Sequence, residues 1–511
     1  MSAAFARLKS HLARWREWEL NPIVVKELRQ AVRSWAVTGM LLLFLIVLFS
    51  ASLIFLISQS FDVDVNLGLG GEMFGVFAGI LAFASVFFIP FYLGGRLAAE
   101  RQENNPDLLY ISTLSPARII WGKFLCGAYI TLLFFSACLP FMALTNLLRG
   151  VDLPTVFFIL AFLFLAICGA NLIAIFFACI PASRAFKVLF AVVGLVTSFN
   201  IMVSLIAATA GFMHSGVGTM LGRREFWVTV LTTLGLCSAA GGLFFLLSVA
   251  LISPASANRA LPLRLYITAI WLLGGLIALG CAIRFADPVP VYFWVFPTFG
   301  LMMFALLVTV SNSDQLSARV RRQIPPPGFK RLLAFFFYNG AAGGLLWVGL
   351  ILAATCFAAR TVLHSCIPPS ALPSTEYRDW FATIGAYAFD YALTALLIQR
   401  KFFSRRPPKL TPLIAVFLAA AWAIVPYVVF FFLNQLSWKS VENLQLGNMF
   451  NYFGLRDDRQ RIYHLYFAVG WLVVMLVLCA RWFGRQVRNF RPLERIDAPP
   501  VLAEIPPVLT K

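Results

Sequence analysis

The sequence predicts an all-α, polytopic membrane protein of about twelve spans, on three observations. Hydrophobic residues make up 60% of the 511 positions and charged residues only 12%, whereas soluble domains carry about 25% charged residues. Twelve stretches reach the roughly 20 apolar residues that a transmembrane helix requires, and a helix satisfies its own backbone groups in lipid. The cations are spread unevenly between the connections. A soluble enzyme and a disordered chain are both excluded.

The stretches run approximately over 36–57, 73–95, 124–147, 154–180, 186–210, 227–252, 265–283, 290–310, 333–358, 381–398, 411–433 and 465–480. Their even number places both termini on one side. With the N-terminus inside, 31 of the 41 Lys and Arg residues fall in inner segments and 10 in outer loops, the bias that marks a cytoplasmic face. The formal charge of +19 therefore reads as an orientation signal. Anionic membrane lipids, rather than nucleic acid, are its expected counterpart. Of the nine cysteines, only Cys366 falls in a polar loop, so neither a disulfide framework nor a metal-binding spacing is expected.

Residues 1–35 form a basic tail ending in an amphipathic segment, and no cleavage site follows the first span, which reads as a retained anchor. In NPIVVKELRQAVRSW, Asn21 is placed as N-cap and Pro22 at the first helical position. Val24, Leu28, Ala31, Val32 and Trp35 form an apolar face, and Lys26, Glu27, Arg29, Gln30 and Arg33 the opposite one. That pattern predicts a helix lying in the inner interface.

Between spans two and three lies 96–123, RLAAERQENNPDLLYISTLSPARIIWGK. Pro106 should stop the helix arriving through Glu100. Leu108, Leu109, Ile111 and Leu114 are available for packing, and Ser115 and Pro116 start the next helix. The expected product is a compact helical knob displaying Glu100, Arg101, Glu103 and Asp107 to the cytosol.

NPIVVKELRQAVRS before a span, followed by ER...LL..STLSP..II.GK between spans two and three, resembles the ABC-2 type permeases, membrane subunits of a class of ABC transporters. The resemblance covers about residues 20–255 and is carried by Asn21-Pro22, Lys26-Glu27-Leu28, Glu100-Arg101, Leu114-Ser115-Pro116 and Gly122-Lys123. It departs from the family at Asn104-Asn105-Pro106, Thr113 and Arg118. It implies that 21–35 is an interfacial elbow helix and that 96–123 is contacted by a nucleotide-binding subunit. It also implies export across a bacterial cytoplasmic (inner) membrane and a homo- or heterodimer of permease units.

A phosphate cradle of the form GxxxxGK[ST] is absent: Gly122-Lys123 is followed by Phe124 and lacks the upstream glycine. No cofactor is expected in this chain, and ATP and Mg would be bound by a partner ATPase subunit. An ion-coupled secondary carrier is the principal alternative, with Asp390 as its single deeply placed carboxylate. A hydrogen-bonded structural role for Asp390 is expected instead. A membrane-embedded, lipid-linked transferase is a third reading. It rests on Asp62/Asp64 and Asp457-Asp458, which read more simply as loop punctuation, and His464 reads as an interfacial side chain. Asn171 and Asn200, with Ser198 and Ser204, are candidate pathway-lining or buried polar residues.

The chain thus divides into a tail and elbow (1–35), a six-span permease core (36–255), a second six-span region (256–480) and a basic, proline-containing tail (481–511). No elbow precedes span seven. Gly75-x3-Gly79 and Gly340-x3-Gly344 have the spacing of close helix contacts. The sequence does not name a cargo.

Overall fold

The computed structural model describes residues 22–61, 69–100, 115–148, 151–181, 184–313, 315–326, 328–368, 380–432, 445–455 and 458–493. Among them every regular element is helical, and twelve helices are long and apolar enough to cross a membrane. The chain is a multi-pass, all-α membrane protein. It forms two compact units, Met1–Pro254 and Ala255–Lys511.

The first unit contains α1 (Pro22–Val32), α2 (Trp35–Phe61), α3 (Leu69–Glu100), α4 (Pro116–Leu147), α5 (Leu153–Cys179), α6 (Arg184–Ser215), the single turn α7 (Val217–Met220) and α8 (Arg224–Ile252). Helix α3 is central, packing on α4, α5 and α6. Phe44, Phe77, Leu81, Phe134, Ile159 and Leu163 belong to one buried cluster. Leu42, Leu43, Ile46 and Phe49 of α2 are exposed, as suits side chains solvated by hydrocarbon. Some polar residues within the spans satisfy themselves locally: Ser52 and Thr131 each donate to the carbonyl four residues back at 2.8 Å. Gly127 permits the closest approach, since a Cβ there would collide with Leu93 and lie 3.2 Å from Asn171 Nδ2. Gly75 and Gly79 do not act this way: a Cβ on Gly75 meets only Met213 at 3.8 Å, and nothing lies within 4 Å of one on Gly79.

The second unit contains α9 (Ala260–Phe285), α10 (Val289–Val310), α11 (Ala318–Arg322), α12 (Phe329–Phe337), α13 (Ala341–Ser365), α14 (Trp380–Phe402), α15 (Thr411–Phe432) and α16 (Asp458–Asn489). Helix α14 is the most enclosed of its spans and packs on α15 and α16. His464 is not an interfacial side chain. It is 2% exposed, and its Nδ1 lies 2.8 Å from the Tyr387 hydroxyl. Gly447 closes the same cluster: its N–H donates to Tyr387 and its carbonyl accepts from Tyr391. Its φ of +100° and its packing on Trp422 both require glycine.

The expected ninth span, 333–358, is two elements. Amphipathic α12 exposes Phe329, Leu332 and Leu333, and α13 starts afresh at Ala341. Gly340, at φ +144°, makes the break. Arg264, only 4% exposed, stabilises it from α9. Its Nη1 donates to the carbonyls of Phe336 and Tyr338 at 2.8 Å, and its Nη2 to that of Gly340 at 3.4 Å. A planar guanidinium thus takes up carbonyls left without partners where a helix ends. Asn339 adds a second tie, donating to the Ala257 carbonyl at 2.9 Å and accepting from the Ala260 N–H at 2.8 Å. Gly344, unlike Gly340, is a contact glycine, lying against Thr309 and Arg264.

Candidate functional site

The elbow helix α1 is held by a buried charge cluster whose members come from α1, α3 and α4. Its buried stripe is Val24, Glu27 and Ala31, with Leu28 packed against the apolar core. Glu27 therefore does not belong to the outward polar face. It is 5% exposed, while Val32 and Trp35 are 71% and 90% exposed. Lys26, Arg29 and Arg33 remain outward. The cause is Lys123, itself 6% exposed.

Lys123 Nζ donates to Glu27 Oε1 at 2.9 Å and to Glu100 Oε2 at 2.7 Å. Glu100, the last described residue of α3, is half-buried and turned toward Lys123 rather than displayed to the solvent. A third tie closes the triangle. Arg96 of α3 donates from Nη2 to Gln30 Oε1 of α1 at 2.5 Å and from Nη1 to the Tyr92 hydroxyl at 2.8 Å. Each pair of the three helices is thus joined by at least one polar contact. Removing one partner of such a buried pair leaves uncompensated charge and costs about 3–5 kcal/mol.

Arg101, Glu103, Asp107, Leu108, Leu109 and Leu114 lie outside the described residues, as does Asn21. The flanks of that segment are described. Ser115 occupies the N-cap position of α4 without a side-chain cap bond, and Pro116 is the first helical residue. The Ser115 carbonyl accepts the N–H groups of Arg118 and Ile119 at 2.9 and 3.2 Å. Gly122 and Lys123 follow on the buried face of α4. Segment 101–114 therefore begins one residue after a member of the cluster and ends nine residues before another.

The Arg96–Gln30 tie follows from helical spacing once Glu27 and Glu100 are seen to face inward. Gln30 stands three residues from Glu27, and Arg96 four from Glu100, so each pair shares a helix face.

The other polar candidates are dispersed. Asn171 is fully buried and donates from Nδ2 to Thr131 Oγ1 at 3.4 Å, which ties α5 to α4. Asn200 donates to the Val196 carbonyl of its own helix at 2.8 Å. Neither lines the cavity of about 210 Å3 between α3, α5 and α6, which Gly94, Gly95, Ala174, Gly194, Ser198 and Lys187 border. Asp390 is fully buried in α14, but neither carboxylate oxygen has a hydrogen-bond partner among the described residues. That differs from the structural hydrogen bond expected of it. Among the described residues no three His, Cys, Asp or Glu side chains gather as metal ligands.

No family model matches the chain, and no curated protein or solved structure matches it.

Proposed function

We propose that this chain is the membrane-spanning permease subunit of an ATP-driven transporter of ABC-2 type, coupled through 96–123 to a separate ATPase and working as an exporter. The observation that supports this best is the Glu27–Lys123–Glu100 cluster. It ties both flanks of the loop to the elbow helix. A push delivered to 101–114 from below cannot move Glu100 or Lys123 without loading α1, and α1 leads through Ser34 directly into α2. The loop, elbow and first span would then move as one body, with the cavity between α3, α5 and α6 as the place where the first six spans can re-pack.

ATP and Mg belong to the partner subunit in this reading, two permease units pair with two ATPases, and the complex resides in a bacterial cytoplasmic membrane. Affinity purification of the full-length chain from its native membrane should recover a P-loop ATPase, and transport by reconstituted complex should require ATP. The variant carrying Glu103→Arg and Asp107→Arg should insert normally yet lose substrate-stimulated ATP hydrolysis. Transport by the purified chain without nucleotide would overturn the proposal.

One observation favours a second reading. An Asp390 carboxylate without a partner among the described residues is what an ion-coupled carrier places inside the bilayer. Asp390→Asn separates the two: an ion-coupled carrier loses transport, whereas an ATP-driven permease keeps most of it.

A further inference from the structure

At the Lys- and Arg-rich end of the second unit, a cavity of about 600 Å3 is bordered by Arg321, Arg488, Arg491, Gln315, Gln486 and Asn489. Among the described residues that border it there are three guanidinium groups and no carboxylate. Among the described residues of 255–264, 311–341, 399–411 and 481–493, there is no Asp or Glu at all. Arg321 Nε is shielded from solvent and has no hydrogen-bond partner among the described residues. Arg488 makes only a long contact, from Nε to the Gly484 carbonyl at 3.4 Å, and no side-chain bond of Arg491 is formed among the described residues. Guanidiniums gathered around a polar hollow, without a carboxylate partner among the described residues, are matched by phosphate oxygens, which accept their paired N–H groups.

One backbone carbonyl that would oppose an anion there, that of Phe490, is already engaged. Arg331 takes the Phe490 carbonyl through Nε at 2.8 Å and also through Nη2, and the Phe490 N–H closes on Gln486 and Val487. The depth is also informative. The border includes the first turn of α13 and the last turn of α16, both ends of candidate spans. Phe335 of amphipathic α12 also borders the cavity. Span ends and interfacial helices lie at the level of lipid headgroups.

We infer that this cavity is a binding site for a phosphate group, supplied by the headgroup of an anionic phospholipid. This goes beyond the transport reading and does not depend on it.

The test uses the full-length chain, delipidated in detergent, with dioleoylphosphatidylglycerol, dioleoylphosphatidylcholine and inorganic phosphate as probes, read by native mass spectrometry. The wild-type chain should prefer the anionic lipid over the zwitterionic one by at least about tenfold, a difference of roughly 1.4 kcal/mol. R321Q/R488Q/R491Q should fall to within about twofold, with an unchanged elution profile and helix content. If that variant misfolds, R321Q alone should weaken the preference and R321K restore part of it. R405Q/R406Q, which changes the same basic end away from the cavity, should keep the full preference. Retention of the lipid against millimolar inorganic phosphate identifies a headgroup site. Displacement by phosphate that depends on the three arginines identifies a free-phosphate site of the same chemistry. Binding of neither probe, binding that survives R321Q/R488Q/R491Q, or an equal loss in R405Q/R406Q would overturn the inference.

Discussion

In the first unit the buried cation Lys123 is shared by two carboxylates on two other helices. In the second, the buried cation Arg264 is enclosed by backbone carbonyls at a helix break. The two arrangements suit their side chains. A lysine ammonium is a compact charge with rotatable donors that can serve partners in different directions, whereas the planar guanidinium fork spans neighbouring carbonyls in a fixed geometry. Their consequences differ as well. Carboxylates on separate helices make a joint, and the joint fails if any one of them moves away. Carbonyls of one short segment make a permanent corner. The first arrangement can transmit displacement between elements; the second fixes where α12 ends and α13 begins.

Substitutions in both places sharpen this contrast. Lys123→Ala should have the largest effect, because it removes the ammonium that both Glu27 and Glu100 accept from. A loss of about 3–5 kcal/mol is expected, read as a lowered melting temperature of the purified chain and faster proteolysis within α1. Arg264→Lys should cost less, about 2 kcal/mol, since an ammonium still reaches some of the carbonyls but cannot span them. If it cost more than Lys123→Ala in the same thermal assay, the two roles would have to be exchanged. Gly127→Ala, which forces Leu93 aside and crowds Asn171, should cost about 1–2 kcal/mol by overpacking. The same melting measurement checks it, and a neutral result would mean that α3, α4 and α5 are less tightly joined than described. Gln30→Ala should be mildest, about 1 kcal/mol, because Arg96 keeps its bond to Tyr92. Its expected signature is faster amide exchange in α1 with little change in melting temperature.

The helical architecture was legible in the sequence because the apolar length of a span is a local property. Eleven of the twelve expected stretches overlap one candidate span with only their ends shifted. The remaining one, 333–358, overlaps the candidate span Ala341–Ser365 but begins in a separate helix. Its break at Gly340 is held by Arg264, 76 residues away, and its one local signal is the Asn339-Gly340 pair within an otherwise apolar run. The inward turn of Glu27 was hidden. Periodicity assigns a carboxylate to the polar face, and only Lys123, 96 residues distant, reverses that assignment. His464 was misread because the polar lining of a buried aromatic cluster leaves no periodic trace. The Gln30 and Arg96 contact, by contrast, follows from helical spacing once Glu27 and Glu100 are known to face inward.

The central claim is that Glu27 and Lys123 act as one joint between the elbow and the loop-bearing helices. A double-mutant cycle on the full-length chain with Glu27→Gln and Lys123→Met, followed by thermal unfolding in one detergent, tests it most directly. A coupling free energy of about 1.5 kcal/mol or more is predicted, within the range found for directly contacting charged groups. Effects that simply add, to within about 0.5 kcal/mol, would contradict the joint and with it the route by which a partner beneath the membrane could move the first span.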